Sequence, residues 1–435
     1  MDDTIKKELY DIADYALAAL TKAGASGAEV NISKSQRDEV NVDAGEFSLV
    51  RTTLGSSLNI RAIVGGKRGT AATNRHDRES IDAAVAAAIA GAESSEPDDA
   101  EIIADGVGEH TFTIGAAAGS LDKMFDRKQE FLAQVKAELP EIDVMQFVTQ
   151  FNSGNQLYAN TNGSRLTCAS GRYSTSITFS AREGDNVTSM NGSGYSSHEF
   201  DTPILDHDFV RRALGEMKAQ LHTVPVDGKF VGTLVAAPDC LSDFLNSMVG
   251  SIEDSSLISG TSPWKDKLGQ TVADSRLNIE LDPFYPRITA GSPYDGNGNL
   301  CERSEIIKDG VLVNFALSQY GSRKTGLPML RAENGFIVGA GDTALDDIIA
   351  GIDDGLLINR FSGGSPAQNG DFSGVAKNSF LVKNGKITDA VSETMISGNL
   401  FEMLNNIVAI SSDVQCDGGS VVPYAAFRGV TISGK

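Results

Sequence analysis

Histidine is scarce in this sequence, five among 435 residues, and none occurs after His222. Neither H-E-x-x-H nor H-E-x-x-x-H is present. A hydrolytic zinc site needs two or three nitrogen, sulfur or oxygen ligands on a rigid frame and a carboxylate beside the metal-bound water, so the simplest sequence route to one is missing. Cysteine is thin as well. Cys168, Cys240, Cys301 and Cys416 stand far apart without C-x-x-C spacing, which excludes a disulfide scaffold or zinc ribbon and leaves reduced thiols. No apolar run approaches the ~18 residues of a membrane helix, and the opening Met1-Asp2-Asp3 carries acid where a secretory signal carries base. Cations are in deficit, 37 Lys and Arg against 58 Asp and Glu, for a net charge of -21. Binding a phosphate backbone requires clustered cations. A soluble, cytoplasmic protein is predicted, with no direct nucleic-acid contact and no membrane.

What is present is a turn-rich globular composition, 41% hydrophobic with 45 glycines and 12 prolines. Ile5, Leu9, Ile12, Ala13, Ala16, Leu17 and Leu20 recur at helical spacing, with Gly24 just past the end as a stop. Residues 27–73 alternate polar and apolar side chains between turns at Ala44-Gly45 and Gly65-Gly66, the pattern of an antiparallel meander. A second helix, from about Arg78 to Ala90, is nearly all alanine on its buried side, which permits close packing on a sheet. The same order then returns: a helix at 121–139, a meander at 143–195 and a helix near 208–221. After Val224-Pro225 come a strand at 229–236, a helical stretch from Asp239 to about Asp254, then short strands and glycine turns. The predicted fold is α+β. Residues 1–224 form an N-terminal domain of two helix, antiparallel meander, helix halves, about 1–92 and 119–224, joined by an acidic linker. Residues 225–435 form a C-terminal domain rich in antiparallel β-strands.

Local motifs carry little chemistry. His198-Glu199 is the lone His-Glu pair, and Pro203 interrupts any helix that would align it with His207, so a solvated connection is expected there. Gly65-Gly66-Lys67-Arg68-Gly69 and Asn191-Gly192-Ser193-Gly194 do not lead into a helix and read as hairpin turns rather than phosphate loops. Asp295-Gly296-Asn297-Gly298-Asn299 has alternating oxygens, but Leu300 and Ile306 stand where a calcium loop places glycine and glutamate, so it reads as a turn. Cys240 or Cys416 would need a histidine from the first domain to serve as a nucleophile.

Longer segments of the second domain carry a resemblance. Ser292-Pro293-Tyr294-Asp295 through Ser304-Glu305-Ile306-Ile307-Lys308-Asp309-Gly310, with Tyr320-Gly321-Ser322-Arg323-Lys324-Thr325-Gly326, is similar to the TldD/PmbA family's hairpin and following segment. Gly370-Asp371-Phe372-Ser373-Gly374, Val382-Lys383-Asn384-Gly385 and Val391-Ser392-Glu393-Thr394-Met395-Ile396-Ser397-Gly398-Asn399 resemble its most recognisable block. The ending, Asp413-Val414-Gln415-Cys416 to Val421-Val422-Pro423, is similar to the PmbA branch, and Asn59-Ile60-Arg61 before Gly65-Gly66 extends the likeness into the first domain.

The resemblance implies a TldE/PmbA-type subunit of a metallopeptidase-related family. The TldD branch is implied to hold zinc through H-E-x-x-x-H at the start of the second domain and a cysteine near the carboxyl end. Here that region reads Asp239-Cys240-Leu241-Ser242-Asp243-Phe244, and Cys416 alone matches the ligand pattern. The expectation is therefore a chain with no catalytic or metal residues of its own and no cofactor bound alone. A TldD-type partner in a heterodimer would supply the zinc, and the pair would act on unfolded or leader peptides. Roles in peptide maturation, antitoxin degradation and modulation of DNA gyrase are implied for such pairs. Asp371, Ser373, Glu393 and Asn399 are expected near the family's peptide cavity, or else to fix turns. Two alternatives remain: a non-catalytic homodimer that binds peptides or a protein such as gyrase, and a free-standing hydrolase using Cys416 or Cys240.

Overall fold

A computed structural model describes residues 1–392 and 394–434. The first part of the chain runs α1 (Asp3–Lys22), β1 (Gly27–Asp43), β2 (Glu46–Val64), β3 (Lys67–Thr73), α2 (Arg78–Glu93) and β4 (Glu109–Gly115). It continues with α3 (Leu121–Glu138), β5 (Ile142–Asn160), β6 (Arg165–Glu183), β7 (Asn186–Val187), β8 (Asn191–Ser197) and α4 (Asp208–Ala219). Helix–meander–helix order thus occurs twice, and both meanders join one eight-stranded sheet in the order β3-β2-β1-β5-β6-β4. Antiparallel pairing of β1 with β5 makes the seam between them.

The helices follow their apolar stripes. In α1, Leu9, Ile12, Ala13, Ala16 and Leu20 are buried, and the Asp2 carboxylate caps the first turn by accepting from the Ile5 amide at 2.8 Å. The alanine face of α2, Ala84, Ala88 and Ala92, lies on β3 so closely that a Cβ at Gly69 would stand 1.8 Å from the Ala88 carbonyl oxygen. Only glycine fits there. Helices α3 and α4 cover the other half of the sheet with Met124, Phe131, Val135, Val210, Leu214 and Met217. The acidic stretch after α2 is held against the sheet: Glu101 meets Arg61 at 3.4 Å and Arg68 at 3.0 Å, and Ile103 and Ala104 are buried. Asn191-Gly192-Ser193-Gly194, expected as a turn, is instead part of β8, whose residues 191–197 pair with β6; two glycines and small side chains leave the ladder intact while one face stays open. The Gly65-Gly66 and Asp295 segments are turns, the latter closed by Asp295 Oδ1 accepting from the Asn297 and Asn299 amides at 2.9 Å.

The second part holds β9 (Thr223–Pro225), β10 (Lys229–Ala236), α5 (Pro238–Gly250), α6 (Asp254–Ile258), β11 (Ile279–Leu281), β12 (Ser304–Lys308), β13 (Val311–Leu312) and α7 (Gln319–Thr325). There follow β14 (Phe336–Val338), α8 (Leu345–Ala350), β15 (Asp354–Ile358), β16 (Arg360–Ser362), β17 (Asp371–Lys377), β18 (Ser379–Lys383) and β19 (Lys386–Ser392). The last are β20 (Met395–Asn399), α9 (Leu400–Asn405), β21 (Ile407–Cys416) and β22 (Ser420–Ser433). Long β22 organises this second sheet by pairing with β10, β14, β20 and β21. Pairing is mostly antiparallel, with parallel contacts of β10 with β15, β14 with β22 and β19 with β9. Cys240, Leu241, Phe244, Leu245 and Met248 turn the buried face of α5 into the core under β22. No helix among the described residues is long and apolar enough to cross a membrane.

Candidate functional site

Helix α4 forms one part of the junction between the two sheets. Its residues Arg212 and Glu216 and its C-cap Gln220 are spaced by four, so they share one face, and each reaches the second part of the chain. Arg212 Nη1 donates to the Tyr424 hydroxyl, Asn359 Nδ2 donates to Glu216 Oε2 at 2.7 Å, and Gln220 Nε2 donates to the Ser379 carbonyl at 3.2 Å. The Arg212 guanidinium also lies over the Tyr424 ring, 5.2 Å from its centroid.

Beside this junction opens a cleft of ≈ 560 Å³. On one side are Arg212 and Glu216 of α4 with Asn191 to Ser193 of β8; on the other are Asp239, Ser242, Asp243 and Asn246 of α5, Arg360, Gln415, Asp417 and Tyr424. Helical geometry explains the α5 contribution, because Asp239, Ser242, Asp243 and Asn246 follow the i, i+3, i+4, i+7 stripe opposite its buried face. Gln415 Nε2 donates to Asp239 Oδ1 at 2.8 Å, and Asp417 Oδ1 accepts from the Gly419 and Ser420 amides at 2.8 and 2.7 Å.

The wall is polar but partly withdrawn from water, and its acids respond. Burial pushes the Glu216 carboxyl up to about 7, against the opposing pull of Arg212 and the Asn359 hydrogen bond. Asp239 opens to solvent on the cleft side but is otherwise ringed by protein; that enclosure, then the neighbouring Asp417, raises its carboxyl above the usual range. Burial also raises Asp243 and lifts the Tyr424 phenol to about 12. Acids, guanidinium and amide groups in one open cleft can bind the hydrogen-bonding main chain of an extended polymer.

A smaller cavity of ≈ 290 Å³ adjoins the cleft and shares Phe209, Arg212, Gln415 and Tyr424 with it. His207 and Cys416 both line it. Cys416 Sγ lies 3.5 Å from the Arg287 carbonyl oxygen, and burial lowers the His207 imidazole. Cys240 is elsewhere, fully buried under β22 with its thiol pushed far up by burial. The donors do not fit a zinc ion: Cys240 is in the core, Cys416 faces a carbonyl, and among the described residues no three His, Cys, Asp or Glu side chains converge. His198 is likewise apart from any such set, its ring against Gly115.

Asp371, Ser373 and Asn399 lie on the neighbouring strands β17 and β20, where Asp371 is directly opposite Asn399. Asn399 Nδ2 donates to Asp371 Oδ1 at 2.9 Å, and Asn399 Oδ1 caps α9 by accepting from the Phe401 and Glu402 amides at 3.0 and 3.2 Å. Hydrogen bonds from Asn399 and Asn369 hold the Asp371 carboxyl below the usual range. Ser373 is exposed. None of the three is among the residues lining the cleft, and Glu393 lies outside the described residues. Arg212, Glu216, Asp417 and Tyr424 were not singled out in the sequence. The available signal was the polar i, i+4, i+8 stripe on α4, set apart from the buried Val210, Leu214 and Met217.

The two-sheet α+β fold is shared with solved structures. The chain superposes on TldE from Thermococcus kodakarensis with a TM-score of 0.87 and 19% identity, covering 97% of this chain and 99% of that one. It also superposes on a candidate modulator of DNA gyrase from Bacteroides thetaiotaomicron with a TM-score of 0.84 and 24% identity over 100% of both chains. In sequence, the three domains described for the PmbA/TldA metallopeptidase match at residues 28–92, 118–221 and 229–434. Metalloprotease PmbA of Escherichia coli O157:H7 is 27% identical, over 91% of this chain and 90% of that protein. The PmbA homologue of Haemophilus influenzae is 28% identical, over 94% of this chain and 92% of that protein. The chain belongs to the TldD/PmbA family.

Proposed function

We propose that this chain is a TldE-type, non-catalytic subunit that works with a zinc-bearing TldD-type chain on unfolded or leader peptides. The observation that carries the reading is the composition of α5. Where the peptidase branch is expected to carry its two histidines and glutamate, α5 offers the cleft Asp239, Ser242, Asp243 and Asn246, and its cysteine is turned into the core. The cleft keeps groups suited to holding a peptide main chain, while the metal and its water come from the partner. The test is peptide cleavage by a matched TldD-type chain with and without this chain. Cleavage that rises on addition, and that falls when Asp239→Asn and Asp243→Asn are introduced together, supports the reading. Equal cleavage with and without this chain sinks it.

One observation favours a second reading, a cysteine-dependent hydrolase: Cys416 and His207 line the same small cavity. Cleavage by the lone chain that persists in a chelator and disappears in Cys416→Ala would select it.

A further inference from the structure

Strand β8 borders the cleft with one edge unpaired. It pairs with β6 alone, without a register shift from Asn191 to Ser197, and no strand among the described residues lies on its other side. In an antiparallel ladder the N–H and C=O groups of alternate residues point to the same side. The Ser196 amide points away from β6 and donates to the Asp417 carbonyl at 2.7 Å. Gly194 and Gly192, in phase with it, turn their N–H and C=O groups the same way, and those groups have no partner among the described residues. Next in phase, the Met190 carbonyl accepts from Arg360 Nη1 at 3.5 Å. The chain's own groups thus hold both ends of this edge and leave the glycine rungs between them open.

Gly192, with its neighbours Asn191 and Ser193, lines the cleft, and Phe209 and Arg212 of α4 and Asp239 of α5 stand around it. Gly192 is exposed and Gly194 partly so. Glycine at 194 has a packing reason, since a Cβ there would stand 2.7 Å from the Thr175 carbonyl oxygen. Gly192 has no reason of that kind. Its Cβ would meet the Ile177 carbonyl oxygen at 3.4 Å, an ordinary contact, and its φ is outside the left-handed region. What glycine offers there is close approach for another backbone.

We propose that the edge at Gly192 and Gly194 is the ladder on which the cleft holds its peptide: an extended segment lies beside β8 as an added strand and exchanges main-chain hydrogen bonds with the two glycines. The inference rests on the reading of the cleft as a peptide site and names the class of ligand that site takes. At ~3.4 Å per residue the edge from Met190 to Ser196 spans roughly 20 Å, room for about five extended residues. A longer strand would have to displace Asp417 or Arg360 from the ends. Because the rungs need partners, the bound stretch must carry free main-chain N–H groups, so proline or an N-alkylated residue at a rung is rejected. Side chains are not read by these bonds, which suits unfolded segments of differing sequence.

The test is fluorescence anisotropy on the full-length chain alone, with a short fluorescein-labelled peptide of alternating valine and lysine and its fully N-methylated counterpart as probes. The wild type is expected to bind the first and not the second, a comparison that needs no variant. Gly192→Pro removes an N–H that has no partner in the fold and fills the path of approach, and an edge position of that kind tolerates proline. It is expected to weaken binding by roughly tenfold or more, while Gly192→Ala, which keeps the N–H, stays within a few fold of wild type. A wild-type chain that binds neither probe, or both equally, overturns the proposal. So does a Gly192→Pro chain with wild-type circular dichroism that binds as tightly as wild type. Binding lost in Gly192→Pro, with cleavage by a TldD-type chain unaffected by the wild-type chain, upholds the ladder and sinks the partner reading; binding that survives Gly192→Pro, with cleavage stimulated, does the reverse.

Discussion

The Glu216→Gln substitution measures how strongly the domain junction holds a proton. Burial raises the Glu216 carboxyl to about 7 from an ordinary 4.5. Between those values the folded chain keeps a proton that the unfolded chain has released, so this group's contribution to stability falls as pH rises through the window and is level above it. At ~1.4 kcal/mol per tenfold, the gap corresponds to roughly 3 kcal/mol. Glu216 retains partial access to solvent, and screening there brings the expected effect to about 1–2 kcal/mol. Glutamine keeps an oxygen for the Asn359 amide and cannot titrate. Urea unfolding at about pH 4, below both values, should therefore find wild type and variant equally stable, and at about pH 8 should find the variant more stable by about 1–2 kcal/mol. A difference that is the same at both pH values, or a wild type more stable at the higher one, refutes the reasoning.

Lys128 should show the opposite sign. It is fully buried, its amino group donates to the Phe147 carbonyl, and burial lowers it to about 6 from 10.5. The unfolded chain binds the extra proton between those values, so stability rises with pH there, and Lys128→Met should stabilise by on the order of 2 kcal/mol at neutral pH and flatten that slope. Arg61→Met should do the reverse. It strands Glu29, which is 4% exposed and receives Arg61 at 2.8 and 2.9 Å, and denaturant titration should register a loss of about 3 kcal/mol. Asn399→Ala removes the cap of α9 and should cost about 1 kcal/mol in the same assay. Its effect on peptide binding separates the two roles expected for this residue: unchanged binding marks a structural cap, and weakened binding places it at the peptide.

The helices were legible because their signals are local. The apolar spacing of α1, the Gly24 stop and the alanine face of α2 depend on residues within a few positions of one another. Strand β10 was delimited correctly for the same reason, between Gly228 and Pro238. Strand β4 was not foreseen, since it pairs in parallel with β6 across more than fifty residues and depends on its neighbour rather than on its own pattern. Asn191 to Gly194 misled because glycine and serine favour turns in isolation, yet here the β6 backbone supplies the ladder bonds. The cleft was hidden more deeply. Arg212 meets Tyr424, and Glu216 meets Asn359, only once both sheets are in place, and nothing in the spacing of 212, 216, 359 and 424 announces it. Asp371 and Asn399, expected near the peptide cavity or in turns, are partners across a strand pair, and Asn399 caps α9.

The central claim is that this chain supplies a peptide-holding cleft and leaves the metal to its partner. Zinc content per chain, measured by elemental analysis on the purified chain and on the pair copurified with a TldD-type chain, tests it most directly when read beside cleavage of an unfolded peptide. The account predicts a lone chain that is zinc-free and inert, and a pair that carries zinc and cuts. Stoichiometric zinc and cleavage in the lone chain would contradict it.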